Sequence, residues 1–350
     1  MKIGLATSGL KAHKHAIQHL SGGQIGFLWP FGLGLDAIAG WGHKPTSNRA
    51  RKIAARRRLP YLAFEDGFLR SVLPGNTESP LSLVLDRSGI YYDARSASDL
   101  ETFVTARSQA SSLDPKIARG LEALREARLS KYNHFEVHDI ADLKLGSSSR
   151  QYRVLVVDQT AGDASIVGAH ATEQSFIDML LAAVKENPKA KILIKVHPET
   201  MQGRKAGHFS HASLETLAAA HPELAQAQGD SRLRLTPEAI NPWALLEDCS
   251  KVYCVSSQLG FEALMAGCQV VTFGTGFYSG YGLTDDRNPT PLTRRQPASL
   301  EALFAALYFD YSHYFAEFPF REISFFEAVD LLGQRIATAT ISVKACTRLT

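Results

Sequence analysis

Residues 153–165 read RVLVVDQTAGDAS, and residues 251–266 read KVYCVSSQLGFEALMA. In each stretch a short apolar run stops at a small polar loop. The first predicts a buried strand over 153–158. The second predicts a strand over 251–255, with Ser256-Ser257 opening a helix that runs through Ala266. Outward from these, 172–186 reads as an amphipathic helix, 192–196 as a strand ending in His197-Pro198, 243–249 as a helix and 270–273 as a strand. Repeated βα units of this kind build a doubly wound sheet.

The first half carries the same signals more weakly. A short buried strand opens the chain at 2–8, and Gly-rich sequence follows over 22–42, with a second strand at 36–40. Thr46 or Ser47 can cap a helix reaching Arg58, and Pro60 ends it. A strand at 61–64 exits through Glu65-Asp66-Gly67. Strands at 81–86 and 89–92 read as a hairpin turning at Arg87-Ser88-Gly89. Polar helical sequence occupies 98–131, and 146–150 (GSSSR) has linker composition. The chain, 350 residues and 45% hydrophobic, exceeds the usual size of one domain. The expectation is an α/β protein with two Rossmann-like domains facing across a cleft, at 1–145 and 150–330, and a tail at 331–350.

Several function classes fall away. The sequence contains neither GxGxxG nor GxxxxGK[ST], which argues against dinucleotide oxidoreductases and P-loop NTPases. Formal net charge is +3, from 38 basic and 35 acidic residues, so nothing in the balance points to nucleic acid. The basic residues do gather locally, at Arg49, Arg51, Lys52, Arg56, Arg57 and Arg58. That cluster reads as a solvated helix face or as a contact for an anionic membrane surface or substrate. The cysteines Cys249, Cys254, Cys268 and Cys346 form no CxxC pair, which disfavours zinc and fits a reducing compartment. The N-terminus is too weakly apolar for a signal peptide, and no stretch approaches the roughly 18 apolar residues of a membrane span. A cytoplasmic protein is expected.

In open α/β sheets, ligands sit beyond the carboxyl ends of the strands. That rule groups Asp158, Gln159, Asp163 and Ser165 after one strand, His197 and Pro198 after another, and Ser256, Ser257 and Gln258 after a third. Glu65, Asp66 and Arg70 follow a strand of the first half, and one cleft can collect all four groups. Ser256-Ser257 at a helix start can hold a phosphate without a metal, or serve only as a cap. Glu262, one turn on, can accept from ribose hydroxyls or be a solvated helical residue. His197, restricted by the following proline, can donate to a phosphate and ease departure of a nucleotide. By strand alternation Lys195 points away from Val196, which leaves its role open. Asp163 and Glu65 are turn formers or reacting carboxylates. As a pair facing one anomeric carbon they suit glycosyl transfer, one as nucleophile and one as acid/base.

The stretches WGHKPTSNRAR, LAFEDGFLRSV, PLSLVLDRSGIYYDA, VLVVDQTAGDAS, IKVHPE, NPWALLED, VSSQLGFEALMAG and FYSGYGLTDDR run in order from Trp41 to Arg287. Together they resemble the KpsC/KpsS family of capsule polysaccharide β-Kdo transferases. The resemblance implies a GT-B-like fold, CMP-β-Kdo as donor, no separate cofactor, and β-linked Kdo products, hence retention of configuration. It matches Asp163 to the nucleophile and Glu65 to the acid/base, and it matches His197-Pro198 and Ser256-Ser257 to CMP-binding elements that are also similar to those of bacterial sialyltransferases. The first domain would then face the acceptor and the second would hold CMP-Kdo. Because Kdo carries a carboxylate on its anomeric carbon, Arg70 and Lys44 are the expected cations for it. The acceptor would be a lipid-linked Kdo or other glycolipid. The protein would then sit peripherally on the inner membrane through the basic helix, with capsule assembly proteins as possible partners. Full KpsC chains hold two such modules and this sequence holds one, so it is a single-module relative or one module of a larger enzyme. The rival class is a non-catalytic capsule assembly or export protein that keeps the fold as a binding module.

Overall fold

The computed structural model describes all residues except 28–33, 75–77, 136, 138, 144–148, 198–199, 201–202, 237, 318 and 347–350. Thirteen strands follow along the described chain: β1 Lys2–Leu5, β2 Gln24–Phe27, β3 Ala37–Trp41, β4 Tyr61–Asp66, β5 Ser82–Asp86, β6 Arg153–Val157, β7 Lys191–Lys195, β8 Leu233–Thr236, β9 Lys251–Cys254, β10 Gln269–Thr272, β11 Asp285–Asp286, β12 Ser312–Glu317 and β13 Phe320–Ile323. They form two sheets. The first has the order β13-β12-β5-β4-β3-β1-β2 and the second β11-β10-β9-β6-β7-β8. The second sheet is parallel throughout. In the first, β1 to β4 run parallel, while β5, β12 and β13 join with antiparallel pairings. This is the expected α/β arrangement, two Rossmann-like sheets facing across a cleft.

Several elements differ from the sequence reading. Residues 89–92 form a turn, not a strand. Asp86 Oδ1 accepts from the amides of Ser88 at 2.9 Å and Gly89 at 2.7 Å, which curls the chain out of register immediately after β5. The outer edge of β5 pairs instead with β12, from the far end of the sequence. The helical run 98–131 divides into helices Asp99–Gln109 and Lys116–Glu126, with Pro115 at the cap of the second. Ser47 precedes helix Asn48–Arg57 but does not cap it with its side chain, because its hydroxyl donates to the Trp41 carbonyl at 2.9 Å. β12 and β13 return to the first sheet from within the stretch expected to belong to the second domain. Much of the expected tail is helix Phe325–Cys346.

The two sheets share one core. Phe68 of the first half lies 4.8 Å from the Tyr91 ring and 5.2 Å from the Phe277 ring of the second, centroid to centroid. Trp243 is buried and donates its indole N–H to the Leu129 carbonyl at 2.8 Å. Arg295, at 2% side-chain exposure, pairs with Glu101 Oε1 at 2.9 Å. Its Nη1 also donates to the carbonyls of Gly276 at 2.6 Å and Ser279 at 2.8 Å. This guanidinium therefore clasps helix Asp99–Gln109 to the loop after β10. Arg295→Ala leaves the Glu101 carboxylate buried with, among the described residues, only Arg294 as counter-charge. Unfolding in urea should show a loss of about 3–5 kcal/mol relative to the unaltered chain. A loss under about 1 kcal/mol would show that the clasp contributes little.

Candidate active site

The second sheet supplies one wall of the cleft. β6 lies beside β9, and the chain leaves these two strands in opposite lateral directions. The loops at their carboxyl ends therefore part, which is where α/β sheets open a crevice. Gln159 spans the parting. Its Oε1 accepts from the Ser256 amide at 2.9 Å, and its Nε2 donates to Ser256 Oγ at 3.2 Å. Ser165 Oγ lies within 3.5 Å of both partners. Asp163 Oδ1 accepts from the Ser165 amide at 2.8 Å and so caps the short helix that follows. The other oxygen of this exposed carboxylate has no hydrogen-bond partner among the described residues. Ser257 caps helix Gln258–Met265, its Oγ accepting from the Leu259 amide at 3.3 Å.

Two buried ionisable groups stiffen this wall. Asp158 accepts from the amides of Gln159 at 2.9 Å, His208 at 3.0 Å and Phe209 at 3.4 Å. Burial pushes its carboxyl up to about 6 against those three bonds. Lys195 donates to the Glu238 carbonyl at 3.2 Å, and burial lowers its ammonium to about 8. His197 follows β7 and borders the cavity.

The first sheet supplies the other wall at the end of β4. Glu65 is buried, and burial raises its carboxyl despite the Lys44 ammonium 2.8 Å from Oε1. Its Oε2 is buried without a hydrogen-bond partner among the described residues. A Cβ at Gly42, where φ is +49°, would fall 2.2 Å from the Tyr92 hydroxyl and 3.0 Å from that oxygen, so the close approach requires glycine. Lys44 also lies 5.4 Å above the Trp41 ring, whose other neighbour is the His13 imidazole, stacked at 5.8 Å. Burial lowers the His13 imidazole, with Asp66 opposing. Arg70 Nε holds Asp66 Oδ2 at 2.7 Å, and its Nη1 donates to Ser71 Oγ at 2.8 Å and to the Glu78 carbonyl at 3.3 Å.

The walls meet at Glu262. Both of its oxygens accept from Ser130 Oγ at 2.8 Å, and Gln258 Nε2 donates to Oε1 at 3.2 Å and to the Phe68 carbonyl at 3.0 Å. The cavity between the walls has a volume of about 910 Å³. Every site residue expected from the sequence borders it except Pro198, which lies outside the described residues. Proximity does not mean availability. Arg70 and Lys44 already hold carboxylates, and Glu262 already holds Ser130. The sequence reading missed His13, Ser130, Lys131 and Tyr132, which also border the cavity. Residues 130–132 lie at the end of the run read as polar helix, and no spacing marks them. Among the described residues, no group of three or more His, Cys, Asp or Glu side chains is placed to hold a metal ion.

Fold and cleft together define an α/β protein with a cavity between two sheets, at strand carboxyl ends. Residues 36–134 and 116–314 match the family described as "Capsule polysaccharide biosynthesis protein", and the chain belongs to that family. It is 40% identical over 314 residues to the capsule polysaccharide modification protein LipA of Neisseria meningitidis serogroup A, covering 87% of this chain and 42% of LipA. It is 37% identical over 283 residues to the lipopolysaccharide-processing protein LpsZ of Rhizobium meliloti, covering 80% of this chain and 60% of LpsZ. The chain thus spans about half the length of these curated relatives. Among solved structures, Thermosulfurimonas dismutans KpsC, described as a beta Kdo 2,4 transferase, superposes with a TM-score of 0.80 at 35% identity, covering 95% of this chain and 98% of that one. A second KpsC structure, the beta Kdo 2,7 transferase, reaches 0.64 at 24% identity and supports the fold alone.

Burial raises the Glu262 carboxyl from the ordinary range to about 7, against the Ser130 and Gln258 hydrogen bonds. The folded chain therefore binds more protons than the unfolded one between about pH 4.5 and 7, so this group lowers stability as pH rises through that window. Glu262→Gln removes the titration. The stability of the unaltered chain relative to this variant should fall by on the order of 3 kcal/mol from pH 4.5 to 7, read by urea unfolding. Parallel pH profiles for the two proteins would contradict it.

Proposed function

We propose that this chain is a GT-B-like glycosyltransferase that moves Kdo from CMP-β-Kdo onto a lipid-linked Kdo or glycolipid acceptor, with retention, in capsule or surface polysaccharide synthesis. The observation that carries the proposal is the pairing of two differently poised carboxylates across one cleft. Asp163 spends one oxygen on a helix cap and presents the other. Glu65, on the opposite wall, is buried beside the Lys44 ammonium, and burial raises its affinity for a proton, which suits a general base. The likeness to the KpsC 2,4 transferase over nearly all of both chains supports this choice of sugar. About 910 Å³ lies within the range of small-molecule sites and accommodates a nucleotide sugar.

The chemistry then follows in two displacements. CMP sits against the Gln159–Ser256 wall, its phosphate toward the amides that open helix Gln258–Met265 and toward His197. The free Asp163 oxygen forms a bond to the anomeric carbon as the bond to the CMP phosphate breaks. His197 stabilises the charge that collects on the departing phosphate. The acceptor hydroxyl next attacks the anomeric carbon, releasing Asp163, and Glu65 takes its proton. Two inversions leave the β configuration intact. The protein's own side chains supply each role, without metal or cofactor.

Mass spectrometry of the chain mixed with CMP-Kdo and no acceptor should show one added Kdo on the peptide containing Asp163. Asp163→Asn should lose both the adduct and transfer to a Kdo-terminated acceptor while remaining folded. Transfer by that variant at close to the unaltered rate would remove Asp163 as nucleophile. A folded, unaltered chain with no transfer at all would favour a binding protein for capsule assembly.

A peripheral place on the inner membrane belongs to the same reading. Among the described residues, no helix is long and apolar enough to cross a membrane. Helix Asn48–Arg57 buries Ala50 and Ala54, while Arg49, Lys52, Arg56, Arg57 and the following Arg58 are exposed. Anionic lipid attracts such residues by about 1 kcal/mol each. Changing Arg56, Arg57 and Arg58 to Gln should sharply reduce flotation with anionic liposomes. Unchanged flotation would place the attachment elsewhere.

A further inference from the structure

The cations expected to meet the sugar carboxylate are Arg70 and Lys44, and both are committed to internal carboxylates. A third cation borders the same cavity. Lys131 lies beside Ser130 and Tyr132, facing the end of β4. Among the described residues its Nζ makes no hydrogen bond and no ion pair, and it lies 6.0 Å from the centroid of the Tyr132 ring. The Arg70 guanidinium lies 5.8 Å from that same ring.

The backbone around Lys131 is fixed from both sheets. Its carbonyl accepts from the amides of Arg70 and Ser71 at 3.3 Å each. The preceding Ser130 is tied to Glu262 of the second half. The side chain therefore leaves a rigid origin at the meeting point of the two walls. Around the turn after β4, the ammonium and guanidinium of Lys44 and Arg70 match the carboxylates of Glu65 and Asp66, one to one. Lys131 is a further positive charge beside these two pairs, within electrostatic reach of Glu65, Asp66 and the buried Glu262 carboxyl. Burial works against the Lys131 ammonium, but the oxygens of Tyr91, Tyr132, Asp66 and Glu65 outweigh it and keep the group charged. A half-buried cation on a fixed backbone, with no ion pair among the described residues, can meet an anion that arrives with the ligand.

We propose that Lys131 Nζ anchors an anionic oxygen group of the bound donor, either the sugar-acid carboxylate on the anomeric carbon or the phosphate joined to that carbon. This rests on the donor reading above. In the role of carboxylate anchor it takes the place assigned from the sequence to Arg70 and Lys44. Those two residues hold the β4 carboxylates in position.

Equilibrium binding of CMP and of CMP-Kdo tests it, in an Asp163→Asn background so that the donor is not consumed. Lys131→Met should weaken CMP-Kdo by about 10- to 100-fold, the range expected for one charge-assisted hydrogen bond. Lys131→Arg should recover most of that loss. CMP affinity within about twofold assigns the anchor to the carboxylate. An equal loss for CMP assigns it to the phosphate. Unchanged affinities for both ligands, in a variant with unaltered near-ultraviolet circular dichroism, overturn the proposal. A second readout uses the unaltered chain. Acetylation of Lys131, followed by peptide mass spectrometry, should slow in the presence of CMP-Kdo, and inorganic phosphate, CMP and free Kdo are tried separately. If CMP-Kdo binds no better than CMP, the donor reading fails. Protection of Lys131 by any of the simpler anions then retains the anion site, and protection by none rejects it.

Discussion

The hydrogen bonds from Ser130 Oγ to both oxygens of Glu262 join the chain's two halves at the floor of the cleft. Glu262 is buried on a helix of the second sheet, and Ser130 lies at the end of the helical stretch that follows the first. A carboxylate in that position must be hydrogen-bonded, because its desolvation is costly otherwise. The requirement sets the spacing of the walls. It fixes Gln258 beside Glu262, and through the neighbouring Lys131 carbonyl it fixes Arg70 and Ser71. The aromatic cluster of Phe68, Tyr91 and Phe277 fills the volume beneath.

On this floor each wall does a different kind of work. The second sheet presents hydroxyls, amides and the Gln159 carboxamide, groups that suit a neutral or anionic ligand, together with the exposed carboxylate of Asp163 and the His197 imidazole. The first sheet presents paired charges. Lys44 with Glu65 and Arg70 with Asp66 keep two carboxylates in the cleft while cancelling most of their field. Glu65 Oε2 and Asp66 Oδ1 remain buried without partners among the described residues, and an incoming hydroxyl can satisfy either. Membership of the capsule polysaccharide biosynthesis family fits such a division, since glycans offer hydroxyls in number.

Much of the second sheet was legible because each strand is a continuous apolar run ending at a small polar loop, as in 153–157 and 251–254. The first sheet was less so. β2, β12 and β13 carry no comparable run, and β12 finds its place only by pairing with β5 across more than two hundred residues. Residues 89–92 look like a strand by composition, yet the Asp86 carboxylate turns them away. The hydrogen bond that decided this is local, but its outcome depends on Tyr311 and Asp99 also converging on Asp86.

Which residue types stand after which strands follows from the sequence by itself. Strand carboxyl ends are readable from periodicity, and ligands in α/β sheets gather there, so the sequence alone places Asp163, Gln159, Ser256 and Glu65 near one cleft. Membership of the family is also carried by motif order alone. Only the tertiary structure decided which of the gathered charges are already spent. Arg70, Lys44 and Lys131 are all cations near β4, and nothing in their spacing separates them. Whether a cation meets an internal carboxylate or is left over depends on distances across the fold. Coulomb energies and hydrogen bonds change over a few ångströms that sequence order does not encode.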